Sequence, residues 1–111
     1  MVKEFKMTLE AISDTVTKLP GEKLLQGNGF VLAAQKGIER DNGAIRSIGE
    51  LIYVAQHSKA LPGVTVKIEP GQRPTEYRAI VSNYDNLREK DVYENVCHMI
   101  AGRNSGYHVR Y

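Results

Sequence analysis

Several things are scarce in this sequence. Its 111 residues hold one cysteine (Cys97), no tryptophan, two phenylalanines and four prolines. One cysteine closes no internal disulfide and makes no zinc site alone. A disulfide-stapled secreted scaffold and a zinc module are therefore set aside, and a reducing, cytoplasmic setting is expected. No apolar run exceeds five residues, the length of Phe30 to Ala34 and Leu51 to Ala55, far below the roughly 20 needed to cross a bilayer as a helix. The opening Met1-Val2-Lys3-Glu4-Phe5-Lys6 leads into no apolar segment of signal-peptide length. Charge of one sign is scarce too: 15 Lys and Arg face 13 Asp and Glu, a net of +2. That is too little to support extensive non-specific wrapping of nucleic acid.

What is present suits a globular chain. A hydrophobic fraction of 41% is too high for a disordered tail, and 10 glycines with 4 prolines are too few for a linker or fibre. A single compact domain over residues 1–111, burying roughly two thirds of its unfolded surface, is expected.

Periodicity divides the chain. Val2, Phe5, Leu9, Ile12, Val16 and Leu19 recur at steps of three and four, opposite a polar stripe of Lys6, Glu10, Asp14 and Lys18. A strand alternation through Phe5, Met7, Leu9 and Ala11 competes but fails at Ile12, so a helix over about 3–19 is predicted, closed by Pro20-Gly21. Gly27-Asn28-Gly29 between two short apolar runs signals a hairpin, and it lacks the further glycines or the Gly-Lys-Ser/Thr of a phosphate loop. Ile45, Ile48, Leu51, Ile52 and Ala55 predict an amphipathic helix over about 44–60, capped by Asp41 or Asn42 and closed by Pro62-Gly63.

The period then changes to two. Val64, Val66 and Ile68, and after a Pro70–Pro74 turn Tyr77, Ala79 and Val81, predict a hairpin over 64–81 with Ile68 opposite Tyr77 and Val66 opposite Ala79. Leu87, Val92, Val96, Met99 and Ile100 mark a helix over about 87–101, and Tyr107, Val109 and Tyr111 a last strand over 106–111. The expected fold class is α+β: a small mixed sheet, made of the hairpin 64–81 and the strand 106–111, packed against two or three helices. Residues 75–111 have the length of a strand, helix, strand crossover.

Charge is uneven along the chain. Residues 1–94 carry 13 bases and 13 acids, whereas residues 95–111 carry Arg103 and Arg110 and no acid. With Tyr107 and His108 these form a candidate site, because guanidinium groups grip phosphate and tyrosine rings stack on bases. Positive charge at a helix C-terminus and tyrosines in a core account for the same residues without a ligand. Arg73, between Pro70 and Pro74, is a candidate contact residue on a stiff turn.

No catalytic pairing is visible. Cys97 and His98 are neighbours that point about 100° apart on a helix, and His57, His98 and His108 fall on three different predicted elements. Glu94 and His98 have i, i+4 spacing but make only two ligands. No catalytic residue, metal or cofactor is assigned, and catalysis is not the leading expectation. The expected function is that of a small binding or regulatory protein, an inhibitor or accessory factor, that acts by protein–protein contact and self-associates away from membranes. The alternatives are a nucleotide or single-stranded nucleic-acid ligand at Arg103, Tyr107, His108 and Arg110, and a small hydrolase or transferase whose site is assembled from distant residues.

Overall fold

A computed structural model describes residues 3–102 and 104–110. The chain runs β1 (Glu4–Ala11), α1 (Leu24–Gly27), β2 (Val31–Lys36), β3 (Glu39–Asp41), β4 (Ala44–Ser47), β5 (Glu50–Val54), β6 (Thr65–Pro70), β7 (Glu76–Ser82), α2 (Glu89–Ala101) and β8 (Tyr107–Arg110). Six strands form one sheet in the order β2-β5-β6-β7-β1-β8. Every neighbouring pair in it is antiparallel, and β3 and β4 form a separate small ladder.

The expected architecture is corrected on this point. The sheet is antiparallel rather than mixed, and one substantial helix covers it rather than two or three. The segment expected to be a helix over 3–19 is β1 followed by an irregular crossing. As a strand it buries Met7 and Leu9 and pairs its backbone on both sides, with β7 and β8. Ile12, the residue that spoils the alternation, lies just beyond the strand and is 65% exposed. The β-branched Thr8, Thr15, Val16 and Thr17 also disfavour a helix.

The segment expected to be a helix over 44–60 is β4 and β5. Asn42 (φ 53°) and Gly43 (φ 83°) make the two-residue turn between β3 and β4, the type I′ geometry that Asn-Gly favours. What looked like a helix cap is a hairpin turn. The Gly27-Asn28-Gly29 turn joins α1 to β2 rather than two strands.

The hairpin of 64–81 is present as β6 and β7, but its register differs by two residues: Ile68 faces Ala79 and Val66 faces Val81. Alternation fixes which face a residue takes and leaves an even offset undetermined. The helix of 87–101 is α2, whose Val92, Val96 and Ile100 are fully buried. Between β7 and β8 it forms the strand, helix, strand crossover, with β1 lying between the two parallel strands.

Strands β2 to β5 form one long bent hairpin. It bends where Gly37 (φ 67°) meets Gly49, and a Cβ on Gly37 would lie 2.9 Å from the Gly49 Cα. Past the bend the tip folds over the crossing 12–18. The Ile45 amide donates to the Val16 carbonyl at 2.8 Å, and Arg40 donates to the Thr17 carbonyl at 2.8 Å.

Two tyrosines hold this cover down. The Tyr53 hydroxyl of β5 donates to the Pro20 carbonyl at 2.9 Å, and the Tyr107 hydroxyl of β8 donates to the Lys18 carbonyl at 2.7 Å. Beneath them Leu9, Leu51, Val66, Ile68, Ala79, Val81 and Leu25 are wholly buried, and no polar or charged residue is buried among the described residues.

Tyr53→Phe removes the donor to Pro20 and leaves a covered carbonyl unsatisfied, so a loss of ~1–2 kcal/mol is expected in urea unfolding, with a similar loss for Tyr107→Phe. A change below a few tenths of a kcal/mol in both would show that the hydroxyls do not hold the cover.

Burial raises the Tyr53, Tyr77 and Tyr107 phenols above their ordinary value, and burial together with the hydrogen bond to Glu89 pushes Tyr84 up to about 12. Below about pH 10 these groups are protonated in both states; above it the unfolded chain releases protons that the folded one keeps. The unfolded state then binds fewer protons, so stability is complete at neutral pH and falls as pH rises past about 10. In an alkaline titration, the phenolate absorbance of these four tyrosines should appear together with loss of circular dichroism; their ionisation near pH 10 in a chain that stays folded would contradict this.

Candidate functional site

Three strands and one turn build a charged cluster on the outer face of the sheet. Registry sets Glu10 of β1 directly opposite both Glu76 of β7 and His108 of β8. In the turn, the Glu76 amide donates to the Arg73 carbonyl at 3.0 Å, which brings Arg73 back over its own chain. Arg110 bridges the two carboxylates, with Nε 3.4 Å from Glu10 and a terminal nitrogen 3.9 Å from Glu76. Arg73 lies 3.7 Å from Glu76, and His108 Nε2 lies 3.9 Å from Glu10.

Two carboxylates side by side on paired strands repel each other, and the two guanidinium groups offset that repulsion. Glu76 is the most sheltered member at 14% exposure, while Arg110 and His108 keep 40% and 54% of their side chains in solvent. The cluster can hold a further anionic group only beside these carboxylates or in exchange for them. Its acids come from β1 and β7, so the acid-free stretch of sequence is not acid-free in space.

The predicted site residues are thus divided. Arg73, His108 and Arg110 converge. Tyr107 points to the opposite face, where its ring meets Tyr77 edge-on at 6.2 Å and its hydroxyl is bonded to Lys18. Arg103 lies outside the described residues. No group of three His, Cys, Asp or Glu side chains arranged to hold a metal occurs among the described residues, and no helix is long and apolar enough to cross a membrane.

A second feature lies at the end of the sheet. Tyr93, Glu94, Cys97, His98 and Ala101 of α2 and Val109 of β8 line a groove of about 510 Å³ that opens beside β8. Tyr93 packs on Phe5 at 5.5 Å, and Cys97 Sγ lies 4.0 Å from Met7 Sδ. The sequence signal for it is a second apolar row on α2: Tyr93, Cys97 and Ala101 at steps of four, beside the buried row Val92, Val96 and Ile100. One row suffices to reach a core, and the second widens the apolar surface past what the sheet covers.

The backbone beside this groove is partly closed. The Ile12 amide donates to the Gly106 carbonyl at 3.0 Å, so by alternation residues 106, 108 and 110 turn their backbone groups to β1 while 107 and 109 turn theirs outward. Ser105 Oγ accepts from the Tyr107 amide at 3.2 Å and donates to the Tyr107 carbonyl at 3.0 Å. The outward amide and carbonyl of Val109 have no such partner among the described residues. No protein-family model, curated protein or solved structure matches this chain.

Arg110→Ala should leave Glu10 and Glu76 facing each other with less compensation. The expected loss is ~0.5–1 kcal/mol at low salt, shrinking in high salt and largely recovered by adding Glu10→Gln. Urea unfolding of the single and double variants at two ionic strengths checks this; equal losses with and without Glu10→Gln would assign Arg110 no neutralising role.

Proposed function

We propose that this chain is a small cytoplasmic binding or regulatory protein that acts by contact with another protein and associates with itself. The observation that carries the proposal is the pair of open sheet edges. β8 ends the sheet on one side beside the groove of α2, and β2 ends it on the other. An edge strand presents unpaired backbone groups to any extended chain that approaches.

The two edges differ in chemistry, which suits two kinds of contact. Val31 to Gln35 of β2 carry no charge, and Ala33, Ala34 and Gln35 are all exposed. Such a row accepts a second copy of itself without opposing like charges. The β8 edge has His108 and Arg110 on its outer face and no acid, so two copies of β8 would bring together basic side chains that cannot pair with each other. We assign self-association to β2 and contact with another protein to β8. A lone cysteine supports the cytoplasmic placement.

Sedimentation from micromolar to millimolar concentration tests self-association. A species above 12.4 kDa should grow with concentration, and Ala34→Lys should shift its midpoint upward at least tenfold. A chain that remains at 12.4 kDa throughout would overturn the self-association.

A further inference from the structure

We propose that the β8 edge is a strand-addition site for a short extended peptide of another protein, one that alternates aliphatic and acidic side chains. This rests on the contact function proposed above and names its partner class.

The backbone sets the register. Ser105 occupies both hydrogen-bonding groups of Tyr107, so among the described residues Val109 is the one position of β8 that offers an outward amide and carbonyl. A peptide residue placed directly opposite Val109 exchanges two hydrogen bonds with it, as residues of antiparallel strands do. Directly opposite residues point to the same face. That peptide side chain therefore enters the groove lined by Val109, Ala101, Cys97 and Tyr93 together with Glu94 and His98, and between the first four an aliphatic group fits.

Its two neighbours on the peptide point to the other face, beside His108 and Arg110. There the guanidinium groups of Arg73 and Arg110 share two carboxylates, Glu10 and Glu76, and the His108 ring lies 3.9 Å from Glu10. Arg110 and His108 stand at the open edge with 40% and 54% of their side chains in solvent, against 14% for Glu76, so acidic neighbours meet the exposed side of the Arg110 guanidinium before they meet either carboxylate. A second copy of β8 in the Val109-centred register would place His108 opposite Arg110 twice, which disfavours this chain as the occupant.

The test uses acetyl-Val-Glu-Val-Glu-Val-amide as the probe, with amide chemical shifts of the labelled full chain as the readout. Shifts should centre on Val109 and the groove face of α2. N-methylation of the central valine, which deletes the donor to the Val109 carbonyl, should weaken binding at least tenfold. Val109→Pro removes only an outward amide, which an edge strand tolerates, and should do the same in a chain whose remaining spectrum is unchanged. Ser105→Ala frees a second position and should tighten binding about fivefold. If Val109→Pro does not fold, the methylated peptide and Ser105→Ala still decide.

Equal binding of the methylated and unmethylated peptides, or no binding at millimolar peptide, overturns strand addition at β8. Shifts confined to β2 also overturn this site while leaving a contact function standing, and that function is judged separately by the sedimentation measurement.

Discussion

Everything on the inner side of the sheet depends on how the crossing from residue 12 to residue 22 is held down. A single α-helix of 13 residues cannot cover six strands, so a length of chain without regular structure has to roof the rest. Such a segment carries backbone groups that need partners once water is excluded. Here the partners come from below and above. Two phenols rise from the sheet to the carbonyls of Lys18 and Pro20, and the tip of the long hairpin supplies Arg40 and the Ile45 amide to Thr17 and Val16. Tyrosine suits this task because its ring fills the core while its hydroxyl reaches the backbone.

The bend in the long hairpin follows from the same need. Straight strands would carry β3 and β4 away from the sheet into solvent. Gly37 and Gly49 let the two backbones approach closely enough to turn the tip inward, where Ala44 and Ile45 become buried. The outer face has the opposite character: carboxylates and bases alternate across the strands, with Glu50, Lys67, Glu69 and Arg78 linked in one chain and Glu10, Glu76, Arg73, His108 and Arg110 in another. The molecule is thus polar on one side of the sheet and roofed on the other, and its backbone is left open at the two ends.

The parts legible in the sequence are those where one period dominates. β6, β7 and α2 alternate or repeat cleanly and fall where expected. β1 was ambiguous because its apolar residues satisfy spacings of two and of three or four at once, and β4–β5 read as a helix because Ile45, Ile48, Ile52 and Ala55 fit steps of three and four while the buried alternation Leu51, Tyr53, Ala55 has only three members. Tertiary pairing decided for the strand: β1 gains hydrogen-bond partners on both edges there. The turn at Asn42-Gly43 carried a hairpin signal that the apolar spacing of Ile45, Ile48 and Ile52 masked. Within the charged cluster, Arg73, His108 and Arg110 were legible as basic residues. Their partners were not, since Glu10 sits on the strand expected to be helical and Glu76 reaches it only through the register. The groove was hidden because a side chain at the margin of a core and one inside it look alike in a helical repeat.

The position of β1 has a kinetic consequence. It pairs with β7, about 70 residues further along, and with β8, about 100 residues further along. β7 is at hand once it has paired with β6, but β8 reaches β1 only when α2 has crossed over, so the second side of β1 closes after the first. Contacts between residues so far apart in sequence require loop closure before they stabilise anything, and they place folding in the slow regime of β-rich domains. During that interval one edge of β1 stays unpaired, beside Met7 and Leu9. The emerging chain is at its most vulnerable to wrong partners until the final strand arrives.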